Sequence, residues 1–579
     1  MDPLGTLRHN LASDTHWADR PGVAWAVLGC ICLLIWAAAM HPIRDPDFGW
    51  HLALGRYIAQ QGVVPGAEPF THTALGNPMV AHEWLAQLLM YAVTTLTGIV
   101  GLRWLHATAV VALLLVFYRM LRRERGPPAL AVAGVLLFAI VAGSRFELRP
   151  QMFNLAAMMW LFHAVFVRRP HLEVRQLVGI SAAVALWANF HSGAILFPAL
   201  IWVYVAVEWT SRRLGWATPR PEDLAGGSLA RVALLGATTA LATLLTPNHV
   251  RLVPYVLESN AINRGLSSEW SSVVTFWGDP ANLPLELEAL AFSALAFVAA
   301  LWIGRRTRSP GMTAVVCVLA LLPLSSARFV DFYFAPIAFV HSVWCNWLAE
   351  RPSPAVSRGR VSMATYALVL PLALVAVASK IDTAQFRLWV RPVGNFQPAT
   401  FPAGAVRFLN ETGLEGRLYN LERWGGYVLL HTRGKYPIFI DGRWVTIGER
   451  VARDGMMIEH RGERAFEKLD AYGVDLLLVP RGWMTEELQE RRGWLPVFEN
   501  FNAGVYLRST AIDDIARSER YYRRIGVPFD AERGFDGCAA HQHNESWARA
   551  FRVEARHVVH FRLWGNPIGI SPSLVVNRW

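Results

Sequence analysis

Long apolar segments separated by short polar connections fill the chain from residue 22 to residue 379. About 20 consecutive apolar residues are enough for one helix to cross a membrane. The pattern predicts eleven such helices, at 22–40, 101–121, 128–144, 152–167, 176–191, 194–211, 230–246, 286–304, 311–325, 329–348 and 361–379. We therefore predict an α-helical polytopic membrane bundle over residues 22–379.

The pattern changes after residue 380, where short apolar runs alternate with amphipathic segments. It predicts a small α/β domain over 380–509 and an irregular tail over 510–579. The predicted strands are Arg417–Leu421, Ile438–Asp441, Asp475–Val479, Leu495–Glu499 and Val505–Arg508, and the predicted helices are Ala465–Tyr472 and Glu486–Arg492.

Two long connections interrupt the apolar part. The first, at 41–100, contains amphipathic stretches near 48–61 and 82–97, which are typical of helices lying along a membrane surface. The second, at 247–285, carries Glu269 and Trp270.

The charges indicate the orientation of the helices. Of the 579 residues, 53% are hydrophobic and only 17% are charged, and the net charge is +11. Short arginine clusters lie in alternate connections, as the positive-inside rule requires of cytoplasmic loops: Arg122, Arg123 and Arg125; Arg168 and Arg169; Arg212 and Arg213; Arg305, Arg306 and Arg308. We therefore predict a cytoplasmic N-terminus at 1–21, an extracytoplasmic C-terminal domain and no nucleic-acid partner.

Candidate chemistry lies in the predicted outer connections. Asp45, Asp47 and His51 directly follow the first span, where carboxylates are costly to hold beside hydrocarbon. A carboxylate there could act as a general base or bind a divalent metal, whereas Asp47 could also simply cap the helix at 48–61. His82 and Glu83 lie in the same connection, either as metal ligands or as polar residues of the interfacial zone.

Arginines at the predicted outer ends of helices suit phosphate oxygens. Arg145 and Arg149 flank Glu147, and Arg328 precedes Asp331 by three residues; in both places a mutual ion pair is the alternative. His191 ends the fifth span and either lines a cavity or is satisfied by a neighbouring backbone carbonyl. Trp424 and Tyr427 suit a sugar, although turn chemistry explains the glycines between them.

These motifs resemble those of the GT-C membrane glycosyltransferases. Asp45-Pro46-Asp47-Phe48-Gly49-Trp50-His51 is similar to the acidic motif of the oligosaccharyltransferase catalytic subunit, Ala327-Arg328-Phe329-Val330 with Ala335-Pro336 to its arginine-bearing late span, and Trp424-Gly425-Gly426-Tyr427, more loosely, to its Trp-rich motif. The last motif lacks the family's second Trp and its Asp.

The resemblance implies an inverting glycosyltransferase of the bacterial inner membrane that builds cell-envelope polysaccharide from a polyprenyl-phosphate-linked sugar and a lipid or glycan acceptor. Asp47 or Asp45 would be catalytic, and Arg328, Arg145 and Arg149 would bind the phosphate. Residues of the acceptor site or its support would be His51, His82, Glu83, His191, Glu269, Trp424 and Tyr427. Asp45 and Glu147 are candidate ligands for Mg²⁺ or Mn²⁺. A solute or lipid transporter and a non-catalytic assembly protein are the alternatives.

Overall fold

The chain folds into two compact units in a computed structural model. The first unit comprises Met1–His41, Val100–Val253 and Ser267–Ile381, and the second comprises Pro42–Ile99, Pro254–Leu266 and Asp382–Trp579. The structure describes residues 17–124, 126–219, 223–266, 268–276, 284–304, 309–350, 358–378, 396, 400–462, 464–485, 489, 492–500, 502–526 and 529–534. The first outer connection therefore groups with the C-terminal residues, which differs from the predicted boundary near 380.

The first unit is helical. Its α-helices are Pro21–Ala39, the second part of Trp84–Leu121, Pro128–Val141, Gln151–Phe162, Val174–Phe190, Leu196–Arg213, Leu229–Ala242, Pro284–Gly304, Pro310–Ser325, Phe334–Glu350 and Arg358–Ala378. Each predicted apolar segment overlaps one of these helices. Among the described residues, four helical stretches are long and apolar enough to cross a membrane: Pro21–Ala39, Trp84–Leu121, Ser192–Arg213 and Gly359–Ala376. The predicted bundle is confirmed as a fold class, and the number of crossings stays a prediction.

Short irregular helices connect these elements. The 3₁₀ turns are Trp17–Asp19, Gly143–Arg145, Ser192–Ile195, Leu224–Gly227, His249–Arg251, Ser268–Trp270, Val273–Phe276 and Ala327–Tyr333, and His163–Val167 is a π-helical turn. Pro21, Pro128 and Pro310 begin three of the long helices, where the missing N–H costs no intrahelical hydrogen bond. The helix Trp84–Leu121 is interrupted at Gly98, whose φ of 70° favours glycine.

The second unit combines helices with one sheet. Its α-helices are Phe48–Gln61, the first part of Trp84–Leu121, most of Leu252–Leu266, Ala403–Thr412, Glu422–His431, Trp444–Ile447, Glu449–Glu459, Ala465–Ala471 and Ile512–Ile525. Its strands are β1 (Leu418–Asn420), β2 (Leu476–Pro480), β3 (Trp494–Glu499) and β4 (Ala503–Arg508). They lie in the order β1-β2-β4-β3, with β1 parallel to β2 and the other pairs antiparallel. The sheet and its helices enclose a separate hydrophobic core.

Four of the five predicted strands are confirmed, and three local predictions change. Ile438–Asp441 is not a strand, because Ile438 makes only an isolated parallel bridge to Thr71. The segment from Glu422 to Tyr427 is not a turn but the start of the helix Glu422–His431. The tail predicted as irregular begins with the helix Ile512–Ile525, whose apolar residues Ile515, Tyr522 and Ile525 recur at helical spacing. Most of the predicted helix Glu486–Arg492 and the tail beyond 534 lie outside the described residues.

Candidate active site

The two acids of the acidic motif form a tight turn before the helix Phe48–Gln61. The Asp45 Oδ1 accepts a 2.9 Å hydrogen bond from the backbone N–H of Asp47, which is an Asx-turn arrangement. Asp47 stands at the N-cap position, but its side chain makes no capping hydrogen bond. Its Oδ1 instead accepts a 3.0 Å hydrogen bond from the Trp50 indole N–H. The carboxylate of Asp47 is thus oriented by a side chain and does not serve as a conventional cap.

Glycines bring this turn against the C-terminal part of the same unit. A Cβ at Gly49 would lie 2.1 Å from the carbonyl oxygen of Gly426, so the helices Phe48–Gln61 and Glu422–His431 touch through their backbones. A Cβ at Gly442 would lie 2.4 Å from Asp47 Oδ1 and 3.3 Å from Glu422 Oε1. Two carboxyl groups from distant parts of the sequence therefore approach one glycine.

A buried ion-pair triad lies beside these carboxyl groups. Arg443 binds Asp441 through Nε at 2.9 Å and Nη2 at 2.6 Å, and binds Glu68 through Nη1 at 2.6 Å. Glu68 also accepts the backbone N–H groups of Phe70 and Thr71. Burial alone would lower the pKa of Arg443, but Asp441 and Glu68 raise it above its ordinary value. The triad joins the first outer connection to the turn that follows residue 440.

Glu422 is the carboxyl group with the most perturbed environment among the described acids of this unit. Burial, with further contributions from Asp47, Asp441 and Glu459, raises its pKa to about 8. Glu422 therefore carries a proton at neutral pH, and it is a second carboxyl group close to Asp47.

The histidines of the same connection gather around Glu83. The Nδ1 of His51 lies 3.6 Å from Glu83 Oε2 and 3.1 Å from the Gln87 amide nitrogen, and the Nε2 of His82 lies 3.7 Å from Glu83 Oε1. His51 and Glu83 are both buried. The structure thus brings together three of the predicted residues: His51 on the helix Phe48–Gln61, and His82 and Glu83 in the turn before the helix that begins at Trp84.

Trp424 and Tyr427 lie in the core of the unit. Trp424 is 2% exposed, and its indole N–H donates to the carbonyl oxygen of Thr400. Tyr427 is 6% exposed and stacks between Phe401 and His431, at ring-centroid distances of 5.0 and 3.9 Å. Both rings support the helix that carries Glu422, and the expectation that they contact a sugar receives no support from their burial.

The predicted phosphate-binding arginines lie in the first unit around one carboxylate. The Nη1 atoms of Arg145 and Arg149 lie 3.3 and 3.5 Å from the Glu269 carboxylate. Arg149 also pairs with Glu147 at 3.3 Å, and Arg145 donates to the Gln151 side chain at 2.7 Å. The Nε of Arg145 is buried and has no hydrogen-bond partner among the described residues. An acceptor such as a phosphate oxygen would satisfy it.

Arg328 belongs to the same cluster. Its guanidinium lies 4.1 Å above the Trp270 ring, a cation–π contact, and Ala327 and Ser326 hydrogen-bond to the backbone of Ser271 and Glu269. Burial alone would raise the pKa of Glu269, but Arg149, Arg145 and Arg328 lower it to about 2. Three arginines therefore converge on one anion, and this cluster is chemically suited to oxyanions.

His191 takes a local structural role in the first unit. Its Nδ1 accepts a 2.9 Å hydrogen bond from the backbone N–H of Gly193 and caps the turn Ser192–Ile195. The two alternatives predicted for His191 are a place in a cavity lining and a hydrogen bond to a neighbouring carbonyl, whereas this hydrogen bond comes from a backbone N–H.

The fold of the chain is similar to that of a solved membrane enzyme. An oligosaccharyltransferase of Archaeoglobus fulgidus, crystallised with a tethered acceptor peptide, superposes with a TM-score of 0.51 at 12% identity over 84% of this chain and 74% of that chain. The chain has the GT-C fold. ArnT of Cupriavidus metallidurans, crystallised with undecaprenyl phosphate, gives a TM-score of 0.47 at 14% identity over 84% of this chain and 98% of that chain. No protein-family model matches the sequence, and no curated protein is significantly similar to it.

The GT-C fold and its long apolar helices make the chain a membrane protein. Each of the two residues predicted to bind a metal makes another contact within its own unit. Asp45 belongs to the second unit, where it accepts the Asp47 N–H, and Glu147 belongs to the first, where it pairs with Arg149. Within the described ranges, no group of three or more His, Cys, Asp or Glu side chains is placed to hold an ion. Dependence on Mg²⁺ or Mn²⁺ stays a prediction.

Sequence patterns did not single out the residues that hold this GT-C acidic motif in place. Trp50 and Gly49 lie inside the motif, but nothing local distinguishes them from core residues. Glu68 and Arg443 are 375 positions apart, so only the fold pairs them. Glu422 precedes two glycines, a composition that predicts a turn, although the glycines serve close helix packing.

Proposed function

We propose that the chain is an inverting glycosyltransferase that moves a sugar from a polyprenyl-phosphate carrier to a lipid or glycan acceptor. In this proposal the reaction takes place at the outer face of the bacterial inner membrane, with the N-terminus in the cytoplasm and the second unit in the periplasm. The observation that carries the proposal is the acidic motif: its Asp47 carboxylate is oriented by Trp50 beside a second carboxyl group, Glu422.

Each step of the reaction has a residue suited to it. The acceptor hydroxyl loses its proton to Asp47 while its oxygen forms a bond to the anomeric carbon of the donor. The bond between that carbon and the phosphate oxygen breaks with inversion, and polyprenyl phosphate leaves carrying the negative charge. Arg145, Arg149 and Arg328 are the groups proposed to stabilise that charge, because guanidinium forks bind phosphate oxygens at two points. Asp45 fixes the turn that presents Asp47.

The GT-C fold supports this proposal over a transporter. A solved structure that superposes with a TM-score of 0.51 is an oligosaccharyltransferase, and its crystal structure carries an acceptor peptide. The peptide acceptor of that enzyme is not transferred to this chain, because Trp424-Gly425-Gly426-Tyr427 differs from the Trp-rich motif of that family. A lipid or glycan acceptor is proposed in its place.

The test compares lipid-linked and surface glycans of a deletion strain with those of its parent. We expect the deletion strain to accumulate a lipid-linked sugar and to lack one glycan product, and wild-type protein to restore the product. Asp47→Asn should restore less than about one hundredth of it, because general-base catalysis contributes about 10²–10⁴-fold. The matched control is Asp513→Asn, an exposed carboxylate of the same unit, which should restore the product fully.

All variants are to be expressed at equal levels in the membrane, as measured by immunoblot. Full restoration of the glycan by Asp47→Asn and also by Asp45→Asn would contradict the proposed chemistry. Movement of a solute by purified protein in vesicles, with no lipid-linked sugar consumed, would favour a transporter instead.

A further inference from the structure

The Asp47 carboxylate is held on one oxygen by a neighbour on its own helix. Trp50 follows Asp47 by three residues, a spacing that puts both side chains on one helix face. The buried indole N–H donates to Asp47 Oδ1 at 3.0 Å. A hydrogen bond from a side chain that is itself locked by packing selects one rotamer of the carboxylate.

The Trp50 ring is itself fixed from two sides. The Arg443 guanidinium lies 5.7 Å from its centroid, and the His51 ring lies 3.7 Å from it. Arg443 is held in turn by Asp441 and Glu68, at contacts of 2.6 Å each. Arg443 and its two acids are buried, so the guanidinium beside the ring has a fixed position.

The same oxygen of Asp47 meets the backbone of Gly442. A Cβ at that residue would lie 2.4 Å from Asp47 Oδ1, which leaves no room for any larger side chain. Oδ1 is therefore enclosed between the Trp50 indole and the glycine. This approach and the indole hydrogen bond together fix the orientation of the carboxylate.

We infer that Trp50 is a positioning residue, which holds the Asp47 carboxylate through Oδ1 in the orientation in which it takes the proton of the acceptor. This inference rests on the proposed function and deepens it, since it names the residue that orients the proposed base.

The experiment measures transfer in membrane vesicles of the deletion strain, with the lipid-linked sugar extracted from that strain as the probe. Trp50→Phe removes the N–H and keeps an aromatic ring. We expect kcat to fall about 10- to 100-fold, the loss that follows from one hydrogen bond to a charged group. The KM for the lipid-linked sugar should stay within about twofold, because a residue that acts only through Asp47 does not bind the donor.

The matched control is Trp483→Phe. Trp483 is equally buried in the same unit, and its indole N–H donates at 2.9 Å to the carbonyl oxygen of Glu459. This variant loses the same ring area and one buried hydrogen bond, so it should show a similar thermal shift with unchanged kcat. A second variant replaces Trp50 by 3-benzothienylalanine, which keeps the bicyclic shape, and it should reproduce the kcat loss of Trp50→Phe.

The outcomes separate the inference from the proposed function. If Asp47→Asn is inactive and Trp50→Phe keeps full kcat, the positioning role is wrong and the base assignment stands. A raised KM with unchanged kcat in Trp50→Phe would also overturn the inference, because it indicates a substrate contact. Full activity of both Asp47→Asn and Asp45→Asn would contradict the proposed function itself, and full activity of Asp47→Asn alone would overturn the inference.

Discussion

Glu422 should make the stability of the second unit fall as the pH rises. Burial is the main cause that raises its pKa from 4.5 to about 8, with Asp47 and Asp441 adding to the effect. Between these two values the folded chain keeps the proton while the unfolded chain has lost it. Stability therefore decreases with pH in this window, because the native state binds more protons than the unfolded state.

The size of the effect follows from the two pKa values. Each pH unit between them costs about 1.4 kcal/mol, so the full loss by pH 8 is about 5 kcal/mol as an upper bound. Glu422→Gln keeps the shape of the side chain and removes the titration. The free energy of unfolding of the variant should equal that of the wild type near pH 4.5 and exceed it by a growing amount as the pH rises toward 8. Above pH 8 the difference between the two free energies should stay constant.

The assay is unfolding of the purified protein in detergent at a series of pH values, followed by Trp fluorescence. Glu449→Gln is the control, since Glu449 is exposed and pairs only with Arg453 among the described residues. Infrared difference spectra give a direct second measurement: a protonated-carboxyl band should disappear near pH 8 in the wild type and be missing from Glu422→Gln. Parallel pH curves for the wild type and Glu422→Gln would refute the reasoning.

Two further predictions concern the helix contact and the arginine cluster. Gly426→Ala should destabilise the second unit by roughly 1–3 kcal/mol, because its Cβ would meet backbone atoms at 2.6 and 2.9 Å. A lowered unfolding midpoint checks this, and Gly66→Ala, which meets nothing within 4 Å, should leave the midpoint unchanged. Arg145→Gln should weaken binding of undecaprenyl phosphate roughly 10- to 100-fold in a detergent binding assay. The exposed Arg453→Gln should bind it normally, and equal affinities for the two variants would exclude Arg145 from the phosphate site.

The helices of the first unit could be predicted because membrane spans need only length and apolar composition. Strands β1 to β4 were also predictable, since short apolar runs bounded by turns are locally distinctive. The segment Ile438–Asp441 was wrongly predicted as a strand, because it is buried by contacts with residues of the first long connection and not by pairing in the sheet. The Thr73 hydroxyl donates to the carbonyl oxygen of Phe439, and the backbone N–H of His72 donates to the carbonyl oxygen of Ile438. A buried irregular segment carries the same short run of apolar residues as a strand, so the sequence pattern does not distinguish them.

The sequence predicts the charged residues of the candidate site, but it does not predict the residues that hold them in position. Asp45, Asp47 and Arg145 stand out because ionisable groups are rare beside apolar runs. The helix beginning at Glu422 was missed because Gly425 and Gly426 are poor helix formers, and tertiary contact overrides that propensity. No local pattern relates these glycines to Gly49, since the contact between them forms only in the folded unit.

The position of the acidic motif depends on sequence far beyond it. Residues 42–99 share a compact unit with the C-terminal part of the chain, through backbone contact at Gly49 and Gly426 and through the ion pair of Glu68 with Arg443. Breaking a buried ion pair by removing one partner costs about 3–5 kcal/mol. Substitutions near residue 443 should therefore disturb the acidic motif even though the substituted residues are not part of it. The C-terminal part of the second unit is therefore part of the proposed chemistry, since it holds in place the residues that orient Asp47, the proposed base.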